Sequence, residues 1–213
     1  MADTTKVAPE LDRIEFEAID RSSFLLKGIL AASAAYGAFA AGPLLRKAFA
    51  QTESDGDIEI LNFALTLEFL EATFYELAQK QTRLSDEVDA LAKLVGGHER
   101  EHVEALTQTI EDLGGKPVKE PRVDFAEALS NEQMFLSLAV TLEDTGVSAY
   151  NGVAPQIESK ELLATAGTIV QIEARHASAI RFVADEVPAP DAFDPTLTVD
   201  EVNTAAAAFL ERK

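Results

Sequence analysis

The sequence is organised around the stretch TLEDTGVSAY, residues Thr141–Tyr150, because a second copy of its pattern lies upstream. The counterpart is TLEFLEATFY, residues Thr66–Tyr75, and in both stretches a Tyr follows the Glu seven residues later. Each stretch precedes a Glu-x-x-His segment, Glu99–His102 in the first case and Glu173–His176 in the second. The copies are offset by 75 and 74 residues (141 − 66 and 173 − 99). The chain therefore contains two copies of one pattern, in which a single Glu is followed by a Glu-x-x-His segment.

Composition limits the classes of function. The chain has 213 residues and a formal charge of −19. Residues 51–213 hold twelve Lys and Arg against thirty-one Asp and Glu, so the imbalance lies after residue 50. An acidic body repels nucleic acid and anionic lipid, so we expect neither as its partner. The absence of Cys excludes disulfides, iron–sulfur clusters and thiolate zinc sites within this chain.

Residues 1–50 read as a separate segment from residues 51–213. Arg21 precedes an uncharged run from Gly28 to Leu45, and Ala48–Ala50 ends it with small residues, as in an export signal. The segment resembles a twin-arginine signal in which Ser22 replaces the second Arg, and it predicts an exported, periplasmic or envelope location. The alternative is an uncleaved anchor, with membrane association through residues 21–49, because 18 apolar residues are at the short limit for a bilayer span.

The remaining chain predicts helices and no strands, since it lacks alternating or β-branched runs. Asp55 or Asp57 can cap the first helix. Ser130 with Gln133 is expected to form a capping box for the third helix, and Thr198 with Glu201 one for the last. The predicted helices span about residues 55–81, 85–114, 130–153, 159–187 and 198–210.

Loop lengths predict how the helices are connected. The link from residue 114 to residue 130 is long enough to run the length of a bundle at about 3.3 Å per residue. The other links among the first four helices are short, so these helices form two antiparallel hairpins joined by one crossover. The predicted fold class is all-α: a ferritin-like four-helix bundle with an N-terminal apolar segment and a short C-terminal helix.

The repeat also predicts a chemistry. Residues three apart lie on the same helix face, so each Glu-x-x-His points both side chains toward the bundle interior. A buried ionised carboxylate costs several kcal/mol unless it is paired, hydrogen-bonded or bound to metal. Four interior carboxylates are balanced by two divalent cations. Carboxylate and imidazole ligands suit iron and manganese.

This pattern resembles that of the ferritin-like superfamily, and more narrowly ferritin-like domain proteins related to desiccation-associated proteins. Leu61–Tyr75, LNFALTLEFLEATFY, is the most family-like part, and the resemblance covers about residues 55–187. The resemblance implies Glu68 with His102 as terminal ligands of one metal, Glu143 with His176 as those of the other, and Glu99 and Glu173 as bridging carboxylates. It also implies that Tyr75 and Tyr150 hydrogen-bond the ligand carboxylates.

Two further residues have competing interpretations. His98 completes the motif His98-Glu-Arg-Glu-His102, which is also the H-E-x-x-H pattern of zinc proteases. The repeat uses Glu99 and His102 without His98, and the downstream Gly and His of metzincins are missing, so the protease is a remote alternative. Glu71 follows Glu68 by one turn, but the corresponding position in the second copy is Gly146. We therefore expect Glu71 at the edge of the interior stripe, with a ligand role as the alternative.

The leading functional hypothesis is a di-metal carboxylate protein of the ferroxidase or peroxidase type that acts on Fe²⁺, O₂ or H₂O₂. Its cofactor would be two Fe or two Mn ions, and a mixed pair is also compatible with these ligands. Its partners would be the metal ions and a small oxidant, and a homo-oligomer is compatible with the sequence. The alternative is a non-catalytic structural or stress-protection bundle of the desiccation type, in which metal only stabilises the fold.

Overall fold

A computed structural model describes residues 55–210. The proposed export or anchor segment, residues 1–50, lies outside the described residues and stays a prediction. None of the helices between residues 55 and 210 combines the length and apolarity needed to cross a membrane. Five α-helices and one short 3₁₀ turn account for the regular structure of this part of the chain. The α-helices are α1 (Asp55–Gln81), α2 (Asp86–Asp112), α3 (Glu132–Val153), α4 (Lys160–Val183) and α5 (Val199–Ala206).

The predicted all-α architecture is confirmed for residues 55–210. α1 packs on α2 and α3 packs on α4 as two hairpins, and the hairpins pack on each other through α1 with α3 and α2 with α4. The described residues form no strand, and their one β-bridge joins Val123 to Leu210. The bundle is therefore the helical fold that the loop lengths predict.

The crossover between the hairpins runs along α1. Near its beginning, the backbone N–H of Val118 donates to the side-chain oxygen of Asn62 at 2.7 Å. Further on, Thr73 donates to Glu120 at 2.8 Å, and near its end Thr82 donates to the carbonyl oxygen of Leu129 at 2.9 Å. From Asn62 in α1 to Thr82, the residue that follows α1, these partners span twenty residues, or about 30 Å at 1.5 Å per residue. The crossover thus traverses the bundle and lets α3 start at the far end.

The helix ends differ from the predicted ones at three places. α3 is capped by Asn131, whose side chain accepts the N–H of Met134, and not by the expected Ser130–Gln133 box. α4 ends at Val183 instead of near residue 187, and the chain turns at Asp185 with φ of 60°. α5 ends at Ala206 instead of near residue 210. At its start, the predicted capping box of Thr198 and Glu201 is present.

Asp57 has a role other than the predicted capping of its own helix. Its carboxylate, 1% exposed, accepts the backbone N–H groups of Glu158 and Ser159 at 2.8 and 3.1 Å. These residues immediately precede α4, so Asp57 holds the start of α4 against the start of α1. A buried carboxylate that accepts two N–H groups has its charge satisfied locally.

Aromatic residues of the apolar core cluster where the last turns of α1 meet the first turn of α3. Phe74 is 0% exposed and stacks on Phe135 with ring centroids 5.2 Å apart. Its edges meet Tyr75 and Phe125 at 5.3 and 5.1 Å. Because Tyr75 also reaches the interior of the bundle, this aromatic cluster supports the region where the polar residues meet.

The C-terminal segment closes the same side of the bundle. The N–H of Leu197 donates to the carbonyl oxygen of Ser148 at 3.0 Å, and α5 buries Val202 against the core. Gly152 permits this contact, because a Cβ at that position would lie 1.9 Å from the carbonyl oxygen of Leu197. The absence of a side chain on α3 therefore lets the following segment cross it closely.

Candidate metal centre

The six residues that the resemblance implies as ligands converge in the middle of the bundle. The four carboxylates are each 0% exposed, and each comes from a different helix. His176 is buried on α4, and the side chain of His102 on α2 is 13% exposed. The convergent residues are Glu68, Glu99, His102, Glu143, Glu173 and His176.

These residues form two overlapping groups of potential ligand atoms. The first group combines Glu68 and His102 with Glu99 and Glu173, and the second combines Glu143 and His176 with the same two glutamates. Within each group, the ligand atoms all lie within 4.8 Å of one another. Glu99 and Glu173 belong to both groups, which is the placement expected of bridging carboxylates.

Each histidine faces several carboxylates with one nitrogen. His102 Nδ1 lies 3.2 Å from Glu68 Oε2, 3.1 Å from Glu99 Oε2 and 3.0 Å from Glu173 Oε1. His176 Nδ1 lies 2.9 Å from Glu99 Oε1 and 3.1 Å from Glu143 Oε2. One N–H group points in one direction, so it cannot satisfy oxygens from three carboxylates.

The shared carboxylates have oxygens that no donor satisfies. Among the described residues, Glu99 Oε1 and both side-chain oxygens of Glu173 are buried without a hydrogen bond of adequate geometry. Buried polar atoms in native proteins are almost always paired, so these carboxylate oxygens are compatible with binding of a cation. The donor set of four carboxylates and two imidazoles fits hard or borderline divalent ions such as Fe²⁺ or Mn²⁺.

The two tyrosines connect the hairpins in a crossed arrangement. Tyr75 on α1 donates to Glu143 Oε1 on α3, and Tyr150 on α3 donates to Glu68 Oε1 on α1. The second oxygen of each of these glutamates faces the histidine of its own hairpin. Each hairpin therefore orients a carboxylate of the other, and neither hairpin alone completes the site.

Burial and mutual charge set the proton affinities of the cluster. Burial raises the pKa of Glu68 to about 8 and moves that of Glu143 well above its ordinary value. Burial also opposes ionisation of Glu99 and Glu173, but the two histidines outweigh it and lower both pKa values. Burial disfavours the charged histidines, yet the carboxylates raise the pKa of His102 and His176 well above the usual range. These directions favour protons on Glu68, Glu143, His102 and His176 when no metal is bound.

Glu71 is not at the edge of the interior stripe, and that expectation was wrong. Its side chain is 3% exposed, and burial followed by repulsion from Glu173 and Glu143 raises its pKa well above the ordinary value. A Cβ at Gly146 would lie 3.1 Å from Glu71 Oε1, so the missing side chain on α3 makes room for this carboxylate. Glu71 belongs to neither group of ligand atoms.

His98 also lies beside the cluster, outside both groups of ligand atoms. Its Nδ1 is 2.9 Å from Nε2 of His176, the nitrogen that faces away from the carboxylates. Burial, and then the neighbouring His176, lowers the pKa of His98 to about 4. Among the described residues, His98 and His102, the pair that a zinc protease would require, do not belong to one group of potential ligand atoms.

The sequence matches the family model of the ferritin-like domain over residues 56–186, which is more than half of the chain. The chain belongs to the ferritin-like domain family. A search of curated proteins found no match. The matched region contains all six convergent residues, α2 to α4 and all of α1 except Asp55, whereas α5 lies beyond it. The ferritin-like domain is thus the part of the chain that holds the carboxylate and histidine cluster.

The metal-free ferritin-like domain is expected to lose stability as pH rises from about 5 to about 8. Four groups bind protons more tightly in the folded protein because their pKa values are raised: Glu68, Glu143, His102 and His176. Such groups stabilise the fold fully below their unfolded pKa values, and this contribution disappears as pH passes the folded values. Urea unfolding of chelator-treated protein at several pH values measures the trend. A free energy of unfolding that rises over this interval would contradict the assignment.

Proposed function

We propose that this ferritin-like protein binds two Fe or Mn ions and carries out redox chemistry on Fe²⁺, O₂ or H₂O₂. The observation that carries the proposal is the sharing of Glu99 and Glu173 between two histidine-containing groups, with orphaned oxygens on both glutamates. A single ion would leave one histidine and one terminal carboxylate without a metal to bind. Two divalent ions balance the charge of the four carboxylates, and each ion uses one of the two groups of ligand atoms.

Burial of the site favours this chemistry. Glu68, Glu99, Glu143 and Glu173 are shielded from solvent, so the electrostatic interactions within the site are strong. When bound, two adjacent redox-active ions supply the two electrons that H₂O₂ takes on reduction to water. The phenols of Tyr75 and Tyr150 hold the terminal carboxylates in place, so the ligand geometry is prepared before the ions bind.

The ferroxidase form of the proposal uses Fe²⁺ as its substrate. Its balanced reaction is 2 Fe²⁺ + H₂O₂ + 2 H⁺ → 2 Fe³⁺ + 2 H₂O, in which iron is oxidised and peroxide is reduced. The peroxidase form keeps the ions in place and takes electrons from an external reductant. The reductant must be external to these 213 residues as far as a Cys-x-x-Cys module is concerned, because they contain no Cys.

Metal analysis followed by two assays tests the proposal. Purified protein is treated with chelator, reloaded anaerobically with Fe²⁺ or Mn²⁺, and analysed for bound metal. Fe²⁺ oxidation and H₂O₂ consumption are then measured in the wild-type protein and in Glu101→Gln, which removes an exposed charge close to the site. We expect two equivalents of metal and turnover in at least one assay, equally in both proteins.

The same measurements separate the proposal from the structural alternative. Two equivalents of tightly bound metal without turnover would support a stress-protection bundle in which the ions stabilise the fold. Failure to bind metal at all would refute both the redox function and the metal-stabilised scaffold. Complete loss of metal on replacing His98 by Ala, with the fold intact, would favour a zinc site of the protease type.

A further inference from the structure

His98 makes a direct contact with one histidine of the metal centre. The two rings are inclined by 17° with centroids 5.1 Å apart, and Nδ1 of His98 lies 2.9 Å from Nε2 of His176. His176 Nδ1 faces Glu99 and Glu143 on the opposite side of its ring. The two nitrogens of His176 therefore have separate partners, with the carboxylates on one side and His98 on the other.

This geometry determines the tautomer of His176 when a metal binds. A metal held by these carboxylates would take the lone pair of Nδ1, so the proton of the neutral imidazole would be on Nε2. That N–H then points at His98 Nδ1, which accepts the hydrogen bond. An outer partner of this kind fixes the orientation of a ligand imidazole and raises its basicity.

The other hairpin offers no equivalent contact. The repeat offset of 74 residues places Ile172 at the position that corresponds to His98. Within residues 55–210, His102 contacts carboxylates through Nδ1, and its Nε2 has no hydrogen bond comparable to that between His98 and His176. The pseudo-symmetric site is therefore asymmetric at the outer nitrogen of its histidines.

We propose that His98 is a positioning residue that orients His176 and makes the metal held by Glu143 and His176 the more tightly bound of the two. The inference rests on the proposed binding of two ions. His98 is then neither a metal ligand nor a solvated surface residue. It sets the tautomer of the ligand His176 and raises the basicity of that imidazole. The two ions then differ in affinity, although each ligand group has one carboxylate of its own and the same two shared carboxylates.

Titration with Co²⁺ under anaerobic conditions tests the inference by separating the two affinities. In His98→Leu, a side chain of similar size cannot accept the hydrogen bond, and we expect one of the two affinities to fall about 10- to 100-fold. The other affinity should fall less, because that metal position uses Glu68 and His102, whereas His98 contacts His176. The two positions are still coupled through Glu99 and Glu173, so a smaller change there is expected. His98→Asn places Oδ1 where Nδ1 lies in His, so it should restore most of the lost affinity.

A spectroscopic readout distinguishes positioning from a merely structural role. In the Co²⁺-loaded protein, the proton on Nε2 of His176 should give a hyperfine-shifted NMR signal that exchanges slowly with solvent. His98→Leu should accelerate its exchange, and His98→Asn should restore protection. The reciprocal change Ile172→His should add a second protected signal from His102 and raise the weaker affinity.

The outcomes separate this inference from the proposed function. If wild-type protein binds two ions and His98→Leu leaves both affinities and the exchange rate unchanged, the inference is wrong while the proposed function stands. If His98→Leu lowers both affinities equally in a folded protein, His98 does not act through His176 alone and the inference is also wrong. If the wild-type protein binds no metal, the proposed function fails, and the inference fails with it.

Discussion

Replacing Glu99 with Gln is expected to abolish the uptake of both metal ions. Glu99 is common to the two groups of ligand atoms, so the amide removes one negative charge and one anionic ligand from each metal position. Loss of an outer partner already weakens metal binding about 10- to 100-fold, and loss of a bridging ligand should exceed that. Metal analysis after anaerobic loading and desalting measures the effect.

Two matched variants make this prediction specific. Glu101→Gln makes the same chemical change two residues away at an exposed position, and should retain two equivalents of metal. Glu68→Gln removes a carboxylate that belongs to one group only, so one equivalent should remain. Retention of one equivalent by Glu99→Gln would show that Glu99 does not bridge, even if the protein still binds metal elsewhere in the cluster.

Replacing Phe74 with Ala is expected to destabilise the metal-free protein by about 3–5 kcal/mol, the usual cost of deleting a large buried aromatic side chain. Phe74 is 0% exposed and contacts three other aromatic rings. The cavity would lie where α1, α3 and the crossover meet, and these elements cannot all move inward to fill it. Urea unfolding of chelator-treated protein measures the change in free energy.

Phe193→Ala is the control for the loss of a phenyl group, because Phe193 is 90% exposed and should change stability by less than about 0.5 kcal/mol. The Phe74 variant should also loosen the hydrogen bond between Tyr75 and Glu143, since Phe74 packs against the Tyr75 ring. We therefore expect weaker metal binding in a protein that remains folded. A stability loss below 1 kcal/mol would contradict the role of Phe74 in the core.

Glu71, which sequence reasoning misplaced, and His98, whose contact with His176 it did not predict, both break the internal repeat. Comparing the two copies favours positions that agree, and it therefore set aside Glu71 and His98, whose counterparts are Gly146 and Ile172. The signal that could have placed Glu71 is Gly146 itself, because a glycine inside a packed helix leaves space for a neighbouring side chain. Helical periodicity describes one helix at a time, so it contains no information on that space.

The sequence by itself determined the helices, their hairpin order and the six residues that converge, because periodicity, loop length and a repeated motif are local or register properties. Only the tertiary structure decided which helix each polar atom faces. It crosses Tyr75 to Glu143 and Tyr150 to Glu68, and it sets His98 against His176. The physical reason is that these contacts depend on the rotation and separation of packed helices, which the side chains of all four helices set together.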